Sequence, residues 1–181
     1  IAPPAGTIAR PSINGTRPTV QGTVTLNTNS TVRGLNISSS FATGMTDPAG
    51  AISGVAVSEV SVTTTTGTAV NLSNAGGTLS FTSIAANGAA SGISLTNTTG
   101  SFTVLGDGGG SNNGSGGTIQ NTTGAGIVLD NVGSVSFNFM NITNPGTDGI
   151  RATTLTGGLT VNRTNISDSI GAAGDKGIDI G

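Results

Sequence analysis

Apolar residues recur along this chain in short alternating pairs, not at helical spacing. Gly92-Ile93-Ser94-Leu95, Gly126-Ile127-Val128-Leu129, Gly149-Ile150-Arg151-Ala152 and Gly177-Ile178-Asp179-Ile180 share one pattern, and Ala69-Val70-Asn71-Leu72 matches it without the glycine. A second alternation follows as Leu79/Phe81, Phe102/Val104, Val135/Phe137 and Leu159/Val161. A third follows that, as Ile84/Ala86, a shorter one around Ile119, Met140/Ile142 and Thr164/Ile166. Period-two patterns two or three residues deep predict very short half-buried strands, apolar on one side and rich in Ser, Thr and Asn on the other. The first pattern repeats after 23 residues from Val70 to Ile93 and again from Ile127 to Ile150; the intervals Ile93 to Ile127 and Ile150 to Ile178 are 34 and 28. The excess falls in Gly/Ser/Asn/Asp-rich stretches, which read as loop insertions within an unbroken period.

Three short strands per rung of about 23 residues predict an all-β fold, a right-handed single-stranded parallel β-helix. One rung cannot bury its own apolar face. Stacking at ~4.8 Å would place Val70, Leu72, Ile93, Leu95, Ile127, Leu129, Ile150, Ile178 and Ile180 in inward core ladders. Asn74, Asn97 and Asn131 follow the first strand at a constant offset, with Thr154 in the next rung, and predict a corner ladder of amides. Asparagine tolerates the left-handed backbone of a sharp corner. Asn121, Asn144 and Asp168 repeat the arrangement after the third strand. Gly92, Gly126, Gly149 and Gly177 are expected to serve positive φ or close backbone approach.

The amino-terminal third is less regular. Leu35/Ile37, Val55/Val57 and Val60/Val62 read as further rung strands, with Val32-Arg33-Gly34-Leu35-Asn36-Ile37 the clearest. Residues 1–22, with Pro3, Pro4, Pro11 and Pro18, read as a cap or linker, because proline cannot pair in a central ladder. Residues 23–181 form the predicted solenoid, with a Gly-rich loop inserted at 105–117.

Composition narrows the chemistry. The 181 residues include 31 Gly, with 34% hydrophobic, 8% charged and 3% aromatic residues. A narrow aliphatic interior suits that mixture. There is no Cys, His, Trp or Tyr, which removes thiolate and imidazole metal sites, Ser-His and Cys-His catalysis, and the usual aromatic platforms for sugar rings. A net charge of −2 gives no electrostatic footprint for nucleic acid. No apolar run approaches the ~20 residues of a helical membrane span.

The stretch from about Thr66 to Gly181 resembles the β-strand-repeat surface proteins of bacteria. The motifs that carry the resemblance are Gly-Ile-x-Leu-x-Asn-Thr-x-Gly at Gly92 to Gly100 and Gly-Thr-Ile-Gln-Asn-Thr-Thr-Gly-Ala-Gly-Ile at Gly117 to Ile127. Such proteins are similar to autotransporter passengers and pectate-lyase-like solenoids. The resemblance implies an exported, extracellular chain acting as a stalk, adhesin segment or filament-forming subunit. It implies flanking repeats or end-to-end copies as partners and host or surface glycans as further contacts. Gly177 to Gly181 supplies only the first strand of a rung, so a longer chain or a second subunit is expected to continue the stack.

The competing reading is a polysaccharide lyase or glycoside hydrolase. That chemistry needs paired carboxylates beside a cation on neighbouring rungs, and Asp148, Asp175 and Arg151 are the candidates. Their bland reading is a solvated face, with Arg151 and Asp179 as outward neighbours one rung apart. In the Gly-rich loop, Asp107, Asn112 and Asn113 offer oxygen ligands for calcium, against the bland reading of a surface loop. No other cofactor is expected. Thr63 to Thr66 and other exposed threonines raise ice binding, which the unequal rung lengths oppose.

Overall fold

The computed structural model describes residues 16–167 and 174–181. All regular structure in those residues is β, and it forms a parallel solenoid of about six turns. The chain enters the stack at β1 (Thr19–Gln21). The first turn is β2 (Val24–Thr25), β3 (Thr31–Arg33) and β4 (Asn36–Ser39). The second is β5 (Met45–Thr46) and the 13-residue β6 (Ile52–Thr64); the third is β7 (Val70–Leu72) and the 13-residue β8 (Ala75–Asn87). The fourth is β9 (Ile93–Thr96), β10 (Thr99–Val104) and β11 (Gly117–Gln120). The fifth is β12 (Ile127–Val132), β13 (Ser134–Asn138) and β14 (Met140–Thr143). The sixth is β15 (Ile150–Leu155), β16 (Leu159–Asn162) and β17 (Asn165–Ser167), and β18 (Ile178–Ile180) follows.

Three faces result. The first is a seven-stranded sheet in the order β18-β15-β12-β9-β7-β5-β2. The second stacks β3, the start of β6, the start of β8, β10, β13 and β16. The third stacks β1, β4, the ends of β6 and β8, β11, β14 and β17. β6 and β8 run unbroken round the corner between the second and third faces and join them into one eleven-stranded sheet.

The first-face column runs Val24, Met45, Val70, Ile93, Ile127, Ile150, Ile178, each paired with the next. Leu72, Leu95, Leu129, Ala152 and Ile180 form the column beside it. From Val70 to Ala152 the members of both columns are fully buried. Ile178 and Ile180 keep the register of these columns, and in the last described strand they are 40% and 60% exposed.

On the second face, three phenylalanines alternate between two columns. Phe81, Val104, Phe137 and Val161 stand in one, and Leu79, Phe102, Val135 and Leu159 in the other. No phenylalanine therefore stacks directly on another along the axis. The rings still touch diagonally, with centroids 5.2 Å apart for Phe81–Phe102 and 6.2 Å for Phe102–Phe137. Both lie in the favourable range for tilted pairs. On the third face Ala86, Ile119, Ile142 and Ile166 continue the core.

Several sequence expectations change in detail. Val32 to Ile37 is not one strand: Gly34 at φ 70° turns the chain between β3 and β4. Thr19–Gln21, inside the stretch read as a cap or linker, pairs in parallel with β4. Pro18 accepts a hydrogen bond from Asn36 N–H through its carbonyl, at 2.8 Å, and that interaction needs no donor from proline. Pro3, Pro4 and Pro11 lie outside the described residues.

Gly92, Gly126 and Gly149 serve close approach and not positive φ, while Gly177 shows neither, since a Cβ there would meet nothing nearer than Ile166 Cγ2 at 4.0 Å. A Cβ on Gly126 would meet Ile142 Cγ2 at 2.7 Å, and one on Gly149 would meet Ile166 Cγ2 at 2.4 Å. Third-face isoleucines fill the space that a side chain there would need.

Candidate functional site

The corners between faces carry the polar organisation. At the first corner, Asn131 Nδ2 donates to Asn97 Oδ1 at 2.8 Å and Asn97 Nδ2 to Asn74 Oδ1 at 3.4 Å. Asn97 and Asn131 have φ of 47° and 54°, while Asn74 keeps a negative φ. Thr154 does not extend this ladder. It stands opposite Asp130, because the β12–β15 register shifts between Leu129 and Asp130 and again before Val132.

The third corner holds a second ladder, in which Asn144 donates to Asn121 at 2.7 Å and Asn121 to Asn87 at 2.9 Å. Asp168, expected to continue it, lies outside the described residues. A third amide pair, Asn162 to Asn138 at 3.3 Å, closes the second face.

The second corner combines strain, charge and an insertion. Glu59, Phe139 and Arg163 adopt φ of 57°, 55° and 49°, where Gly34 serves the same corner in the first turn. A non-glycine residue in this conformation costs about 1–2 kcal/mol and needs its surroundings to hold it. Arg33 holds Glu59 with a bidentate pair, Nε to Oε2 at 2.9 Å and Nη2 to Oε1 at 2.6 Å. The hydrogen bonds to Glu59 raise the Arg33 guanidinium above its usual value. Phe139 is buried, and the Arg163 guanidinium lies 5.7 Å from its ring centroid. Sequence reasoning missed this corner, because Glu, Phe and Arg carry no signal for a left-handed backbone. The one legible clue was Gly34.

The Gly-rich insertion leaves β10 after Val104 and crosses this corner to reach the sixth turn. There Arg163 Nη1 donates to Gly109 O. Within the loop, Gly109 N–H donates to Asp107 Oδ1 at 2.9 Å and Asn113 Nδ2 to Asp107 Oδ2 at 2.6 Å. Ser115 Oγ accepts from Asp107 N–H at 3.0 Å, and Asn113 Oδ1 accepts from Ser115 N–H at 3.0 Å. Gly109, then Asn113 and Ser115, hold the Asp107 carboxyl below its ordinary value. The loop thus brings two of the three residues proposed for calcium together. They meet donor to acceptor, not as converging oxygens, and Asn112 is exposed beside them. Among the described residues no group of three or more acidic side chains could hold a metal ion.

The residues proposed for sugar chemistry do not converge either. Asp148 is buried at 8% exposure, and its Oδ1 accepts from Lys176 N–H at 3.0 Å. Its partner one turn on is Lys176 and not Asp175, because Ile150 pairs with Ile178 and Gly149 N–H donates to Lys176 O. Arg151 does stand outward in register with Asp179, but Asp179 is paired with Lys176. The Asp179 hydrogen bond raises the Lys176 ammonium above its usual value.

Comparison of the chain with protein-family models, with curated proteins and with solved structures returns no match. The residues themselves therefore carry the functional reading. No helix of the described residues is long and apolar enough to cross a membrane.

Proposed function

We propose that the chain is a structural segment of an exported bacterial surface protein, a β-solenoid stalk or adhesin element. Its work is to supply length, stiffness and a neutral contact surface. The observation that carries this reading is the continuity of register. Every turn from the second to the fifth is paired with both neighbours on all three faces, the sixth is paired onward through β15 and β18, and amide ladders at the corners lock what the backbone ladders join. Load on one rung passes to the next through many parallel hydrogen bonds, and the aliphatic columns resist shear between rungs.

The exterior fits the role. Second-face side chains pointing outward stand in register as Thr78, Ser101 and Ser134, and as Ser80, Thr103, Ser136 and Thr160. Hydroxyls of this kind keep a long solenoid hydrated without fixing it to charged neighbours, and they are suited to contacts with glycans. Further turns of the same kind stacked on its ends are the partners this architecture favours.

Surface display tests the proposal. The chain is placed between a cell-surface anchor and an epitope in one, two and three tandem copies, and binding of a bulky antibody is measured. The epitope should become steadily more accessible with copy number. Accessibility independent of copy number would overturn the structural reading.

A further inference from the structure

Two Asn-Gly pairs lie among the described residues, Asn87-Gly88 and Asn113-Gly114, and the fold treats them in opposite ways. Asn-Gly is the dipeptide in which a side-chain amide is most open to the next backbone nitrogen, since glycine brings no Cβ to crowd the approach. At Asn87 that nitrogen is engaged, as Gly88 N–H donates to Gln120 O at 3.0 Å. Asn87 Oδ1 meanwhile accepts from Asn121 as one step of the third-corner ladder. Attack there would have to break an inter-rung bond and the amide ladder together.

At Asn113 the arrangement favours attack. The residue is exposed in the Gly-rich loop, and Gly114 N–H makes no hydrogen bond among the described residues. Asn113 Oδ1 already accepts from Ser115 N–H at 3.0 Å. That donor faces the oxygen on which negative charge develops when the amide carbon becomes tetrahedral. Asn113 Nδ2 donates to Asp107 Oδ2 at 2.6 Å, which fixes the side chain and points the departing nitrogen at a carboxylate. Nucleophile, electrophile and an oxyanion donor sit on three consecutive residues.

We propose that Asn113-Gly114 is a self-modifying site at which the folded chain deamidates. The Gly114 nitrogen forms a bond to Asn113 Cγ and loses its proton. The Cγ–Nδ2 bond breaks, and Nδ2 departs as ammonia with that proton, leaving a succinimide. Water then opens the ring at either carbonyl, giving aspartate or isoaspartate at position 113. Water is the only other reactant. The new carboxylate faces Asp107 where an amide donor stood, and two carboxylates at that separation repel. Modification therefore releases the loop from the second corner and frees Arg163 from Gly109.

The test is incubation of the folded chain in mildly alkaline buffer, with peptide mapping by mass spectrometry and a denatured sample alongside. Asn113 should convert at least about tenfold faster than Asn87 in the folded chain, as expected where geometry sets the rate. In the denatured sample the two should convert at similar rates. Asn113 remaining an amide in the folded chain while the denatured chain converts would overturn the proposal, as would equal rates at the two sites in the folded chain. Asn113→Asp made directly should speed hydrogen exchange of the loop amides at 108–114, and unchanged exchange would overturn the release step.

Discussion

Single residues decide whether a rung can stack. Ile127 and Ile150 are fully buried between paired strands on both sides. An aspartate at either position would be an unpaired charge in a close-packed column, so Ile127→Asp should cost at least about 3 kcal/mol in urea unfolding. Asn97 has a double task, holding a left-handed φ of 47° and bonding amides above and below. Asn97→Ala should cost about 1–3 kcal/mol through strain and lost hydrogen bonds. Asn97→Gly should cost less, because it keeps the backbone and loses only the amide. Equal losses would mean that the ladder and not the conformation governs this corner. Gly100 is tightly constrained at the first corner, as a Cβ there would lie 2.1 Å from Gly77 O at φ 89°. Gly100→Ala should lower the melting temperature clearly. Gly110→Ala, where a Cβ meets nothing within 4 Å, should leave it unchanged.

These positions also show what the sequence made legible. Ile93, Ile127 and Asn97 could be read because their turns repeat the same offsets in full. Met45 belongs to the same column as Val70, yet its strand is only two residues long and offers no alternation. Glu59, Phe139 and Arg163 were invisible for a different reason. Their left-handed backbone is imposed by the corner and by partners distant in sequence, such as Arg33 for Glu59 and the Gly-rich loop for Arg163. The calcium and sugar candidates answer to residue type and rung position, neither of which encodes side-chain direction, and Asp107 and Asp148 take other partners.

At the scale of elements, the second face depends on alternation of size between neighbouring strands. Phe102 occupies one column while Phe81 and Phe137 occupy the other. Exchanging Phe102 and Val104 conserves composition and volume but puts three aromatic rings in a single column. The double variant Phe102→Val, Val104→Phe should be destabilised by about 1–3 kcal/mol, the usual cost of overpacking. Stability equal to the parent chain would show that the column order is immaterial. The loop after β10 is a second such element, held together internally by Asp107 through Gly109, Asn113 and Ser115. The folded-state value of that carboxyl is lowered, so its contribution is present above the ordinary carboxylate range and is lost as pH falls through the lowered value. Protection of the loop amides, taken relative to the intrinsic exchange rate at each pH, should be lost on acidification through the lowered value while β12 and β13 remain protected. Loop protection that did not change with acidification would place its order elsewhere.

At the scale of the molecule, stability is a sum over turns and their interfaces. Central turns, paired on both sides, should open last, and damage to one interface should pass weakly to distant ones. This is the property a surface stalk needs, since a rung that yields leaves its neighbours standing. Stretching a single molecule by its two ends tests that claim most directly. The solenoid should yield in successive steps, each releasing about 80 Å of extended chain for a 23-residue turn such as Val70 to Ile93. It should hold between steps under sustained load. Extension of the whole chain in one event at low force would contradict the account.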